Sequence, residues 1–134
     1  MKKSKWIYLS LVIGSILIVT SVYSLFFKTG FDITIKNNTN QNITGLTISD
    51  HREIQNFVIP TLHSNEKYKT NIKLKNMGEN SLKLHYQDKN KKKHEEYIFG
   101  YFEGEGKGTA KIIIQTVQED GTLDIKVKDG LFFA

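Results

Sequence analysis

Hydrophobic and polar residues follow two different patterns in this 134-residue chain, and the change occurs near residue 30. Residues 6–27 contain no charged side chain, and 13 of these 22 residues are Ile, Leu, Val or Phe. Because a helix rises about 1.5 Å per residue, this run reaches roughly 33 Å, slightly more than the hydrocarbon core of a bilayer. The pattern predicts a single transmembrane helix over residues 6–27.

The lysines on either side of this run predict its orientation. Lys2, Lys3 and Lys5 precede it, whereas only Lys28 follows closely. Positive charge accumulates on the cytoplasmic side of a membrane span. We therefore expect residues 1–5 to be a cytoplasmic basic segment, residues 6–27 a single-pass signal anchor in the cell membrane, and the C-terminal part to be extracellular.

A cleaved signal peptide is the alternative interpretation of the same run, with cleavage near Ser24. Typical signal peptides have an apolar stretch of about 7 to 15 residues and an Ala-x-Ala-like cleavage site. This run is longer, and the first alanine of the chain is Ala110. These two departures favour an uncleaved anchor, and the secreted form stays open as an alternative.

From Phe31 onward, apolar residues alternate with polar ones, which is the period of half-buried β-strands. Ile33 and Ile35, for example, alternate with Thr34 and Lys36. Such segments recur and predict eight short strands, at about residues 31–36, 43–49, 53–59, 68–74, 82–86, 95–102, 109–117 and 123–128. We expect residues 28–30 to be a linker and residues 31–134 to be a mainly β domain, a small antiparallel β-sandwich of immunoglobulin-like type with seven or eight strands.

Three local patterns make this expectation more specific. The alternation before and after residues 76–80 predicts a β-hairpin over residues 68–86. The unbroken apolar runs at residues 97–102 and 112–114 predict central strands that are covered on both faces. We expect the aromatic side chains of Tyr97, Phe99, Tyr101 and Phe102 to fill the core, and an exposed sugar-stacking or interaction patch is the alternative.

Charge and composition narrow the function classes. The formal charge is +5 and the isoelectric point about 9.3, but residues 31–134 contain 15 basic and 14 acidic side chains. The outer domain is thus almost neutral, and we expect no nucleic-acid binding.

The chain has no cysteine, so an ordinary hydrophobic core has to stabilise the domain. Abundant Lys, Asn and Ile residues are typical of proteins from low-GC Gram-positive bacteria. In a bacterial protein, the glycosylation sequon Asn37-Asn38-Thr39 is interpreted as a turn.

No motif in the sequence predicts catalysis, a cofactor or a metal. The four histidines are His51, His63, His85 and His94, and none is paired at metal-ligand spacing. No serine lies in a Gly-x-Ser-x-Gly elbow. We therefore expect a protein that is not an enzyme, without catalytic, cofactor-binding or metal-binding residues.

One surface feature stands out, a stripe of basic side chains. Lys69, Lys73 and Lys75 share one face of a predicted strand, and Lys83 and His85 join them if residues 68–86 form a hairpin. This face is a candidate site for an anionic wall polymer or an envelope protein. The alternative is a solvated face whose lysines protect a sheet edge.

The sequence thus predicts a membrane-anchored extracytoplasmic β-domain that acts as a non-enzymatic binding or accessory module at the cell envelope. Its partners are the lipid bilayer, through the helix, and an envelope protein or anionic wall polymer. The alternatives are a membrane-tethered envelope-modifying enzyme and a secreted β-domain released near Ser24.

Overall fold

A computed structural model describes residues 2–26, 29–75, 78–104 and 106–131. One α-helix, α1, spans Lys2–Phe26. Its stretch Lys5–Tyr23 is long and apolar enough to cross a membrane, and none of that stretch is buried inside the protein. The hydroxyl groups of Ser10, Ser15 and Thr20 donate to main-chain carbonyls three or four residues earlier, so these polar groups are satisfied within the helix.

Eight β-strands follow the helix in the described part of the chain, as the alternation predicts. Their bounds are β1 Gly30–Asn37, β2 Thr47–Asp50, β3 Asn56–Val58, β4 Lys67–Ile72, β5 Glu79–Gln87, β6 Lys93–Glu103, β7 Lys107–Val117 and β8 Leu123–Leu131. They form two four-stranded sheets. The first sheet has the order β4-β1-β7-β8, and the second has the order β3-β2-β5-β6.

The prediction of a purely antiparallel domain is wrong at one pairing. β1 lies antiparallel to β4 but parallel to β7, with Ile33 opposite Ala110 and Ile35 opposite Ile112. Parallel neighbours need a long crossover, and here the second sheet is built within the chain between them. The first strand of the domain is therefore an interior strand of its sheet.

The predicted hairpin over residues 68–86 is also wrong. β4 belongs to the first sheet and β5 to the second, so the intervening chain crosses between sheets. The predicted turn at residues 76–80 includes residues 76 and 77, which lie outside the described residues. Alternation correctly predicted which side chains of both strands point inward, but it contains no information about which strand is the partner.

The two sheets share one hydrophobic core. The ring of Phe31 in β1 contacts the rings of Phe99 and Phe102 in β6, with centroids 4.7 and 4.8 Å apart. Ile112 and Ile114 are fully buried in β7, which is an interior strand as its apolar run predicts. β6 carries the other such run, yet it is an edge strand.

The predicted linker is shorter than residues 28–30, because Gly30 already belongs to β1. Gly30 has a φ of +88°, and a Cβ there would lie 2.6 Å from the Ile72 carbonyl oxygen. Only glycine fits this position without a shift of the backbone. Phe27 and Lys28, the last predicted residue of the span and the first of the linker, lie outside the described residues.

The turn predicted around Asn37 is confirmed. Asn37 is fully buried, and its side-chain amide donates to the carbonyls of Gln41, Leu62 and His63. Its Oδ1 accepts from the backbone and hydroxyl groups of Thr39. A side chain in this position cannot carry a glycan in the folded domain.

Candidate binding cleft on the second sheet

Two irregularities in the pairing of β5 with β6 rearrange the aromatic segment at residues 97–102. Leu82 pairs with Phe99 while its neighbour Lys83 pairs with Tyr97, and a further shift lies between Asn80 and Leu82. Each shift leaves an extra residue on β6, as in a β-bulge. Ile98, Phe99 and Phe102 consequently point into the core, whereas Tyr97, Gly100 and Tyr101 are exposed.

The expectation that all four aromatic side chains fill the core is therefore wrong for two of them. Phe99 and Phe102 are buried, but Tyr97 and Tyr101 remain 57% and 60% exposed. Both tyrosines line an open cleft of about 510 Å³, which we call the tyrosine cleft. Its other lining residues are His51, Arg52, Gly78, Glu79, Asn80, Ser81 and Gly100.

One residue that lines the tyrosine cleft carries a buried, unsatisfied polar group. Ser81 is only 7% exposed, and its Oγ is the buried side-chain atom without a hydrogen-bond partner among the described residues. The neighbouring Asn80 accepts hydrogen bonds from the backbone amides of His51 and Ser81 through its Oδ1, at 2.9 and 2.8 Å. Asn80 thereby fixes the loop that carries Arg52 against the start of β5.

Tyr97 is held by charged neighbours on one side of its ring. The Nζ of Lys83 lies 4.7 Å from the ring centroid, a cation–π contact. The same ammonium group donates to Glu95 at 2.9 Å. This hydrogen bond raises the pKa of Lys83 above its usual value and lowers the pKa of Glu95, so both partners are charged at neutral pH.

Tyr101 is held through its hydroxyl group. That hydroxyl donates to the carboxylate of Glu103 and lies 3.4 Å from Oε1 of Glu79. The hydrogen bond to Glu103 is the main reason why the pKa of Tyr101 rises to about 12. The phenol therefore stays protonated, and its position is fixed from the end of the ring, which leaves the ring itself exposed.

The predicted basic face is not assembled as expected. Lys69 lies exposed on β4, and Lys73 and Lys75 are exposed just after that strand. Lys83 and His85 are half-buried on β5, in the other sheet. The expectation that they continue the stripe across a hairpin is wrong, because that hairpin does not exist. The part played by each basic residue in binding stays a prediction.

A serine–histidine contact lies on the outer face of the second sheet. Oγ of Ser49 is 2.6 Å from Nε2 of His85, and Nδ1 of His85 is 3.9 Å from a carboxylate oxygen of Glu95. This series of contacts, from a serine to a histidine to a carboxylate, resembles a catalytic triad. However, Ser49 is fully buried, 3.9 Å exceeds a hydrogen-bond distance, and the carboxylate of Glu95 is already paired with Lys83.

Two of the remaining histidines, His94 and His51, have defined surroundings, whereas His63 is exposed. His94 stacks on Tyr86 at a centroid distance of 4.9 Å and contacts Asp88 at 2.9 Å. His51 lines the tyrosine cleft. Among the described residues, no group of three His, Asp or Glu side chains is arranged to hold a metal ion.

Comparison with known proteins yields little. No protein-family model matches the chain, and no curated protein matches it. A solved structure described as the NMR structure of the protein from Eubacterium rectale is similar over 75% of this chain and 89% of its own, with 14% sequence identity and a TM-score of 0.45. At this level the similarity carries no argument about function.

Sequence reasoning missed the tyrosine cleft because three separate segments form it. The loop at His51 and Arg52, the start of β5 and the bulged part of β6 meet only in the folded domain. The available signal was Gly100 within an aromatic segment, since a glycine inside a strand often marks a bulge or an open approach. The unpartnered hydroxyl of Ser81 had no signal in the sequence.

Proposed function

We propose that this protein is a single-pass membrane protein whose extracytoplasmic β-domain is a non-enzymatic binding module at the cell envelope. In this proposal the N-terminus is cytoplasmic, and the two sheets form an immunoglobulin-like β-sandwich. The shared core around Phe31 and Phe99 supports the sandwich. The near-neutral charge of residues 31–134 supports a partner other than nucleic acid.

The observation that carries the membrane assignment is the uncovered apolar surface of α1. Large apolar side chains such as Trp6, Leu17 and Ile18 are 72%, 62% and 65% exposed. A helix of a soluble core buries one face against the rest of its domain. Here none of Lys5–Tyr23 is buried, and the four consecutive residues Ile16, Leu17, Ile18 and Val19, which point to all sides of the helix, are all exposed. Such a surface suits a lipid environment.

The short connection keeps one end of the β-domain near the membrane. Residues 27–29 separate the end of α1 from the start of β1, and so short a segment spans at most about 14 Å. Lys73 follows the strand end that pairs with the start of β1. Lys73 and Lys75 therefore lie where anionic headgroups or membrane-linked polymers are reachable, which supports an envelope partner close to the bilayer.

The topology can be tested with single cysteines, because the natural chain has none. We expect Lys128→Cys, at an exposed position of β8, to react with a membrane-impermeant maleimide in intact cells. Ser4→Cys should react only after lysis. Protection of Lys128→Cys in intact cells would contradict the proposal, and loss of an N-terminal tag with release into the medium would indicate the secreted alternative.

The binding role needs a separate test. We expect the detergent-solubilised full-length protein to be retained by an envelope fraction that contains wall and membrane. A matched column of cytoplasmic proteins is the control. Absence of selective retention at physiological salt would contradict the binding proposal.

The contact between Ser49 and His85 favours a membrane-tethered hydrolase as the second candidate. A fluorophosphonate probe reacts with activated serines, so the full-length protein and its Ser49→Ala variant form a matched pair. Labelling that disappears in Ser49→Ala would favour the enzyme. Absence of labelling would support the binding module, in line with the complete burial of Ser49.

A further inference from the structure

We infer that the tyrosine cleft binds a pyranose oligosaccharide, with Tyr97 and Tyr101 as stacking platforms and with Gly100 leaving space for the ligand between them. This inference rests on the proposed binding function and names its ligand class. Both tyrosines line the same cleft, and so does Gly100, which lies between them in the sequence.

The first step of the argument is the aromatic surface. Sugars present a face of C–H groups, which packs against the electron-rich face of an aromatic ring. Tyr97 and Tyr101 are exposed on the same cleft. Tyr97 and Tyr101 are four residue steps apart on β6, so their Cα atoms are at most about 13 Å apart. The pair therefore suits two sugar units of one chain better than a single monosaccharide.

Gly100 keeps the space between the tyrosines open. A Cβ at this position would have no heavy atom within 4 Å. Any larger side chain would occupy the volume that a ligand needs, without disturbing the fold. The cleft volume of about 510 Å³ is in the range of small-molecule sites.

The polar groups of the cleft suit a ligand with many hydroxyl groups. Among the residues that line the cleft, the guanidinium of Arg52 supplies hydrogen-bond donors and the carboxylate of Glu79 supplies acceptors. Arg52 and Glu79 bring one positive and one negative charge. Because these opposite charges offset each other, the cleft attracts neither a polyanion nor a polycation strongly, and an uncharged polar ligand suits it better.

Both tyrosines are held in place before any ligand arrives. Lys83 lies against one face of Tyr97, and Glu103 accepts the hydrogen bond of Tyr101. A fixed aromatic side chain loses little conformational entropy on binding. The pair therefore forms a surface that is fixed before the ligand binds.

The test uses the full-length protein in detergent micelles and three soluble probes, cellotetraose, chitotetraose and maltotetraose. Saturation-transfer NMR and calorimetry measure binding. Vesicles of phosphatidylcholine with and without a diglucosyl lipid form a second arm, which separates a membrane glycolipid from a wall glycan. The variants are Tyr97→Ala, Tyr101→Ala and Gly100→Val, with Val58→Ala as the control.

We expect at least one soluble probe or the glycolipid vesicle to bind, and either tyrosine variant to weaken that binding about tenfold or more. Gly100→Val should block binding while its thermal unfolding stays that of the natural protein. Val58→Ala, at a 77% exposed position of the same sheet, should bind normally. Tyr97→Phe should retain binding, because stacking needs the ring rather than the hydroxyl.

Two results would overturn the inference. One is absence of binding to every soluble probe and to the glycolipid vesicle, and the other is equal affinity of the natural protein and Gly100→Val. If the protein is still retained by the envelope fraction in either case, the binding module stands and its ligand is not this glycan. If that retention is also absent, the proposed function itself fails.

Discussion

The ring of Phe31 packs against the ring of Phe99 at a centroid distance of 4.7 Å, with the planes inclined by 44°. Phe31 is the second residue of β1 in the first sheet, and Phe99 lies in the bulged edge strand of the second. This contact therefore joins the two sheets at the same strand that carries the tyrosine cleft on its outer side.

Removing this contact should strongly destabilise the domain. Phe99→Ala should lower the free energy of unfolding by about 3–5 kcal/mol, because a fully buried ring leaves a cavity. Denaturant titration of the full-length protein measures the change. Val58→Ala, at an exposed position, should change the free energy by less than about 0.5 kcal/mol, and similar values for both variants would contradict the assigned core.

Asn37 should be indispensable as an amide. In Asn37→Asp the side chain keeps its shape, but three carbonyls lose their donor and face a carboxylate. We expect a loss of at least about 3 kcal/mol in the free energy of unfolding. Asn42→Asp makes the same chemical change at an exposed position and should be nearly neutral. Equal effects would show that the buried network is unimportant.

Gly121 should not tolerate a side chain. Its φ is +87°, and a Cβ there would lie 2.9 Å from the backbone nitrogen of Lys89. Gly121→Ala should cost about 1–3 kcal/mol, from backbone strain and from displacement of the neighbouring turn. Gly78→Ala is the control, since nothing lies within 4 Å of its Cβ. Thermal unfolding compares the two, and an unchanged Gly121→Ala would refute the turn geometry.

Asp88 should make the domain more sensitive to acid. Hydrogen bonds from His94 first, and then from the backbone amides of Lys92 and Asn90, lower the pKa of this carboxyl. Its stabilising effect is therefore fully present above the carboxyl's unfolded pKa of about 4 and disappears as the pH falls through the lower pKa of the folded state.

The matched variant for this prediction is Asp88→Asn, followed by thermal unfolding across a pH series. Above the unfolded pKa of the carboxyl we expect Asp88→Asn to unfold at a lower temperature than the natural protein. The difference should shrink as the medium becomes more acidic. Asp124→Asn, on the exposed side of β8, serves as the control, and a pH-independent difference for Asp88→Asn would refute the linkage.

Local pattern predicted much of the fold, because burial of one face imposes a period on the strand. The alternation at Ile33 and Ile35 predicted the buried face of β1. Strand pairing was less accessible. The partners of β1 and β4 depend on contacts distant in sequence, and the alternation near Ile72 and Leu82 suits a hairpin and a crossover equally well.

The cleft was less predictable than the fold. A strict period of two would place Tyr97, Phe99 and Tyr101 on one face, but two bulges reverse part of that order. Bulges depend on the register with β5, which the sequence of β6 alone does not contain. The prediction of the lysine face was wrong for a related reason, because it also depended on which strands pair. Lys83 could join Lys69 only through a hairpin, and β4 and β5 lie in different sheets.

The parallel pairing of β1 with β7 has a consequence for the order of events during synthesis. A chain is made from its N-terminus, so residues Gly30–Asn37 exist long before Lys107–Val117 do. Until then one side of β1 offers unpaired amides and carbonyls to any passing strand. Completion of the first sheet is therefore a late, long-range step that slows folding. A chain truncated before β7 would leave the edge of β1 unpaired and prone to aggregation.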